Sequence, residues 1–338
     1  MRHLTVAEYG SFLGITGNRL VVRDAEGGAW ETPLSRLRTI RIAKKGVAFS
    51  SDLILSCAAR GIRIFFLDWR GISVATISGQ HQHAVVRVRK SQFECLQSDT
   101  GRIIATEFIR TKIKNQRAVL LYFSKYLSKT NNNHHAFLTG IAEILKDDID
   151  ALSAPPPSNF AWKEYVMGIE GHAAATYWQA LIHTNLLPSS FFKREGRGSQ
   201  ELTNICLNYG YAILQSYCWS ALDNAGLELY AGFLHADRPG KPALILDFME
   251  EYRPWVVDRI IIKIRQKAEK SKFFDNSLKN SISTAIADCL SKHMLHHGKR
   301  IRLENIMQRQ AYKLAGAIIG EKKYRGYRFK EPLHRGPF

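Results

Sequence analysis

The chain has 338 residues, 48 Lys and Arg against 30 Asp and Glu, and a net charge of +18. Hydrophobic residues make up 45% and aromatic residues 11%, enough for a packed core, which excludes wholesale disorder. No run reaches the ~18 uncharged apolar residues of a membrane span, and MRHLTVAEYG lacks a signal-peptide core, so a cytoplasmic protein without a membrane partner is expected.

The first ~95 residues read as a small β-rich domain. FLGITGNRLVVRD, TIRIAKKGVAFS, IRIFFLD and VATIS are short, rich in Val, Ile, Thr and Phe, and separated by Gly-containing turns. Between two of them, SSDLILSCAARG predicts one short helix, with Ser51 or Asp52 as N-cap and Gly61 as C-cap. Near residue 91 the apolar period changes to three to four, and Ile104, Phe108, Lys112 and Asn115 step along one helix face. NNNHHAFLTGIAEILKDDIDAL continues the helical pattern, APPPSN interrupts it, and further helices follow to about Gly320. The final KKYRGYRFKEPLHRGPF reads as a loose basic tail. The expectation is an α+β protein: a β-rich domain over 1–95, a larger all-α catalytic domain over 96–325 and a tail over 326–338. The domain boundary is expected between 88 and 102.

The pattern excludes several chemistries. Strands and helices do not alternate as a doubly wound sheet or TIM barrel requires. There is no GxxxxGK[ST] and no GxGxxG after a strand, so ATP- or NAD-dependent reactions lack support. The five cysteines form no CxxC pair, which argues against a zinc ribbon and for buried free thiols. The charge is uneven: residues 292–338 carry twelve Lys and Arg against three Asp and Glu, and residues 1–95 carry fourteen against seven. Nucleic acid is the expected polyanion, because cationic side chains that neutralise phosphates release counterions.

Acidic residues collect in the helical half. Glu170 lies among small and apolar residues in YVMGIEGHAAATYW, where a carboxylate needs a partner. His235 ends the apolar run LELYAGFLH beside a Gly/Pro-rich loop. In LILDFMEEYRPWVVDR, Asp247 and Glu250 stand at i and i+3 on one helix face, with Glu251 on the adjoining one. Carboxylates so placed repel unless a cation lies between them, so without metal their pKa values are expected to be raised. Hard oxygen donors with one imidazole suit Mg²⁺ or Mn²⁺, and such a site on a basic protein points to phosphodiester chemistry.

At these residues the sequence resembles the CRISPR-associated integrase family, the "Cas one" subunit of spacer acquisition. KIKNQRAVLL resembles the family's early helical motif and EGHAAATYW its EGxAAxxY motif. RGSQELTNICLNYGYAIL resembles R-x3-D-x2-N-x6-Y through Arg197, Asn204 and Tyr211. GFLH and LDFMEEYRPWVVDR match two further blocks. Glu201 stands where the family usually has Asp, and Gly198–Ser199 where many members have Pro-Pro. The resemblance implies a metal site of Glu170, His235, Asp247 and Glu250, with either Asp247 or Glu250 as the direct third ligand. Arg194, Arg197, Arg253 and Arg259 are candidates for binding DNA, and Trp178 and Tyr211 for core packing or for stacking on DNA ends. It further implies a homodimer that joins a small ferredoxin-like "Cas two" subunit in a heterohexamer. That complex captures a protospacer duplex and inserts it into the CRISPR repeat by 3′-hydroxyl transesterification. The alternatives are a non-catalytic DNA-binding scaffold of the same fold and an RNA-binding protein using Phe65, Phe66 and Trp69 on a sheet.

Overall fold

The computed structural model describes residues 2–329 except 70, 72, 80–84, 155–160, 197, 237 and 272. Arg197 therefore lies outside the described residues, as do most of APPPSN and residues 330–338 of the tail. Two compact units divide between His83 and Ala84.

Among the described residues, the first unit holds two four-stranded sheets and one α-helix. Its strands are β1 (Arg2–Val6), β2 (Phe12–Thr16), β3 (Arg19–Arg23), β4 (Ala29–Pro33), β5 (Leu37–Ile42), β6 (Ala48–Phe49), β7 (Arg63–Leu67) and β8 (Ser73–Ile77). One sheet runs β1-β5-β7-β8, the other β4-β3-β2-β6. β2 and β3 pair antiparallel with Thr16 opposite Arg19, a register that puts Leu13, Leu20 and Val22 into the core. Helix α1 (Ser51–Ala59) is capped by Ser50, one residue before the expected cap, whose hydroxyl accepts from Leu53 N at 3.3 Å. Gly61 follows it with φ +66°, the left-handed conformation that a Cβ disfavours. Phe65 is wholly buried, on the face of β7 opposite the core residue Ile64, which removes it from any stacking platform.

Among the described residues, the regular structure of the second unit is helical apart from one hairpin. Its helices are α2 (Val85–Leu96), α3 (Asp99–Leu127), α4 (Asn132–Ala151), α5 (Trp162–His183), α6 (Leu202–Asn224), α7 (Ala243–Met249), α8 (Arg259–Lys263), α9 (Arg265–Lys270), α10 (Asn276–Ser291) and α11 (Leu303–Ile318). The hairpin is β9 (His293–His296) with β10 (Lys299–Arg302), which an all-α reading did not include. α2 belongs here because Gln92 is buried and donates to the carbonyls of Glu228 and Ala231. The division thus falls before the expected window of 88–102.

α3 is the spine, at about 1.5 Å per residue some 43 Å long, with Phe108, Ile109, Ile113, Leu120 and Phe123 buried along it. α4, α5 and the Arg253–Asp258 segment pack against it. That segment, with Pro254 in its first turn, is π-helical, a widening often found beside functional groups. The tail is not loose where it is described. Tyr324, Tyr327 and Phe329 are buried, and Phe329 stacks on Trp255 at 5.1 Å with an interplanar angle of 13°. All five cysteines are free and buried. No helix among the described residues is long and apolar enough to cross a membrane.

Candidate active site

The acidic residues meet around a lysine. Lys112 comes from the middle of α3, on the face shared with Phe108 and Asn115. Its Nζ lies 2.5 Å from Glu170 Oε1, on α5, and 2.8 Å from Glu250 Oε2, just past the end of α7. Arg253, the first residue of the π-helical segment, holds the other Glu250 oxygen at 2.9 Å. Glu250 is buried, yet its Oε2 accepts no well-directed hydrogen bond.

This geometry corrects the expected titration. Burial alone would raise the Glu250 carboxyl, but Arg253 and Lys112 outweigh it and hold the group down at about 2. Lys112 shows the complementary effect: burial opposes its charge, and Glu250 and Glu170 raise its pKa regardless. The sequence reading counted carboxylates without the cations that fold between them.

Asp247 does different work from Glu250. It is wholly buried in α7, and both its oxygens face the 233–235 loop. Oδ2 accepts from Phe233 N at 2.7 Å and Leu234 N at 2.9 Å; Oδ1 accepts from His235 N at 3.0 Å. Oδ1 also lies 2.5 Å from His235 Nδ1. The loop comes this close because residue 232 is glycine: a Cβ there would sit 2.8 Å from Asp247 Oδ2 and 2.7 Å from Ala243 Cβ. Asp247 therefore fixes the ring of His235 and leaves Nε2 for the cleft.

Glu170, His235, Glu250 and Lys112 line one cleft of about 270 Å³; Asp247 does not. Lys163, Arg238 and Lys241 line it too, and Lys163 and Arg238 are exposed. Among the described residues, no three His, Cys, Asp or Glu side chains are gathered tightly enough to hold a metal as they stand. The space between Glu170 and Glu250 is filled by the Lys112 ammonium. The donor set nevertheless fits a divalent cation. It offers two carboxylates converging on one positive charge and an oriented imidazole on the same cleft.

Of the arginines singled out in the sequence, Arg194, Arg253 and Arg259 are engaged internally. Arg194 donates to Asn204 Oδ1 at 3.0 Å and Asn208 Oδ1 at 2.6 Å. Its guanidinium and that of Arg253 lie 5.2 and 5.0 Å from the Tyr211 ring centroid. Arg259 packs over Trp255 at 4.5 Å and donates to the Trp255 carbonyl. Trp178 packs against Tyr177 and Phe191. Glu201, in place of the usual Asp, still caps α6 by accepting from Thr203 N and Asn204 N.

Tyr211 donates to Asp258 Oδ1 at 2.5 Å. Burial raises the Asp258 carboxyl to about 6, against the pull of Tyr211 and the nearby cations. A raised carboxyl pKa means the folded chain binds the proton more tightly than the unfolded chain. Its stabilising contribution is thus present below about pH 4 and is lost as pH rises to about 6, by up to about 3 kcal/mol. Asp258→Asn is expected to remove this part of the pH dependence. Urea unfolding of both proteins across that range measures it, and identical pH slopes would count against it.

The family model for CRISPR associated protein Cas1 matches residues 4–297. The chain belongs to the Cas1 family. It is 44% identical to a CRISPR-associated endonuclease Cas1 of Francisella tularensis subsp. novicida over 98% of this chain and 100% of that protein. A Cas1 endonuclease of Archaeoglobus fulgidus is 27% identical over 96% of this chain and 98% of that protein. In fold, the chain resembles a casposase bound to integration product, with TM-score 0.81 at 20% identity, covering 99% of this chain and 96% of that chain. A CAS1 protein from Thermotoga maritima matches with TM-score 0.72 at 17% identity, covering 96% of this chain and 100% of that chain. Family membership agrees with the β-then-α architecture.

Sequence reasoning assigned no role to Lys112, although the segment was noted. Its signal is a lysine in register with Phe108 on a face that must be buried. Lys163, Arg238 and Lys241 carried no signal, because only the fold brings them to the cleft.

Proposed function

We propose that this chain is a divalent-metal-dependent DNA integrase and endonuclease that inserts captured duplexes into a CRISPR array. Glu170, Glu250 and the Nε2 of His235 hold Mg²⁺ or Mn²⁺, and Asp247 acts behind His235 rather than as a ligand. The observation that carries this reading is the partly buried ammonium held between Glu170 and Glu250 on the cleft of His235.

When bound, the metal neutralises charge on the attacked phosphate and makes a hydroxyl a better nucleophile. The chain's residues supply the rest. Lys112 and Arg253 keep Glu250 ionised, so the site is ready without a proton leaving first. Asp247 keeps the imidazole aimed at the cleft. Lys163, Arg238 and Lys241 are the cations placed to take backbone phosphates at its mouth. In the reaction, a 3′-oxygen forms a bond to phosphorus and the phosphorus–oxygen bond of the repeat breaks. One phosphodiester replaces another, and the released strand keeps a 3′-hydroxyl. Positioning of the two DNA ends is as large a contribution as charge.

The assembly we propose is a homodimer that pairs with a Cas2 subunit in a heterohexamer. Resemblance in fold to part of a Cas6-RT-Cas1–Cas2 complex, TM-score 0.74 at 19% identity and covering 36% of that chain, supports the pairing with Cas2. A single-chain mass at micromolar concentration would contradict the dimer. The function is tested by mixing the protein, a fluorescent duplex with free 3′-ends and a supercoiled plasmid carrying a repeat. Label should join the plasmid only with Mg²⁺ or Mn²⁺ present and Glu170 intact. Equal transfer by Glu170→Ala protein would overturn the reading.

A further inference from the structure

The segment Tyr324–Phe329 lies beyond the family model's match, which ends at residue 297. It has no regular secondary structure, yet it is fastened to two positions beside the site. Tyr324 donates its hydroxyl to Glu251 Oε1 at 2.5 Å, and Tyr327 N donates to Glu251 Oε2 at 3.0 Å. Asn115 donates to the Glu251 carbonyl at 2.7 Å and to the Tyr327 carbonyl at 2.9 Å. Phe329 N donates back to Asn115 Oδ1 at 3.0 Å. Gly326 passes so close to α3 that a Cβ would sit 2.3 Å from Thr111 Oγ1.

We infer that Tyr324–Phe329 is a strap that positions Glu250 and Lys112 for cation binding. The inference rests on the metal reading above. Glu251 is the next residue after Glu250, and the strap and Asn115 together fix its carboxylate and its carbonyl. Asn115 is three residues, just under one turn, beyond Lys112 on the same helix face. Core packing alone does not call for this arrangement. Glu251 is fully buried, and an apolar side chain would fill that space without the cost of burying a carboxylate. A carboxylate held at both oxygens fixes direction as well as volume. Tyr324 and Tyr327 are therefore positioning residues; they line neither the cleft nor the cation site.

The test is Mn²⁺ affinity of the full-length protein without DNA, read from the free-Mn²⁺ electron paramagnetic resonance signal. Tyr324→Phe keeps the ring and removes one hydrogen bond to Glu251. Partners behind metal ligands typically change affinity by 10- to 100-fold, so Tyr324→Phe is expected to weaken Mn²⁺ binding about tenfold. Ile282→Val, a core substitution in α10 away from the strap, lowers stability and is expected to bind Mn²⁺ as the parent does. The strap is refuted if Tyr324→Phe binds like the parent, or if Ile282→Val weakens binding as much. Glu170→Ala separates the two levels: unchanged Mn²⁺ affinity in that variant would remove the metal site itself, and the strap's role with it.

Discussion

Glu250→Ala is expected to reduce strand transfer by about a thousandfold, equivalent to about 4 kcal/mol of transition-state stabilisation. The carboxylate is the meeting point of Lys112 and Arg253, so its loss leaves two partly buried cations paired in this cluster with Glu170 alone. Without Glu250 the cleft turns from a cation-binding to a cation-repelling one. Raising the metal concentration should therefore rescue little. Transfer rates measured over a wide range of Mn²⁺ concentration check this. Recovery of most activity at high Mn²⁺ would instead mean that Glu250 stands behind the ligands and that another carboxylate takes its place.

Asp247→Asn is expected to damage both fold and activity. The amide has nearly the shape of the carboxylate but offers only one accepting oxygen. Asp247 accepts three backbone N–H bonds from residues 233–235, divided between its two oxygens. Whichever way the amide turns, its NH₂ faces at least one backbone donor, and each buried donor left unpaired costs about 1–3 kcal/mol. A loss of about 3 kcal/mol in urea unfolding is expected, with activity down about a hundredfold as His235 loses its orientation. An unchanged unfolding midpoint would show that the loop does not depend on Asp247. The contrast with Glu250 is the useful feature: sequence spacing puts both carboxylates on one helix face, while the structure gives one to the cleft and the other to the loop.

Much of this was legible in the chain. The change from period two to period three-to-four announced a β-rich part before a helical one. Glu170, His235, Asp247 and Glu250 stood out because carboxylates and an imidazole inside apolar runs require partners. What the sequence did not show was which partners. Lys112 is fifty-eight residues from Glu170 in the chain and meets it only because α3 and α5 pack together. The roles of Asp247 and Glu250 depend on which way each side chain points at the end of a seven-residue helix, which spacing does not determine. The strap was read as loose because basic, Gly-bearing segments without periodicity usually are. Its order comes from side chains far away in sequence, Asn115 and Glu251, whose hydrogen bonds replace those of regular secondary structure. Arg194 and Arg259 were candidates for binding DNA for a similar reason: their acceptors and aromatic partners lie on other elements.

The central claim is that Glu170, Glu250 and the His235 imidazole bind one divalent cation. Pulsed electron paramagnetic resonance of the Mn²⁺-loaded protein, without DNA, tests it most directly. The account predicts a hyperfine coupling from a single imidazole ¹⁴N that disappears in His235→Ala. A spectrum with no nitrogen coupling, or one that persists unchanged in His235→Ala, would contradict it.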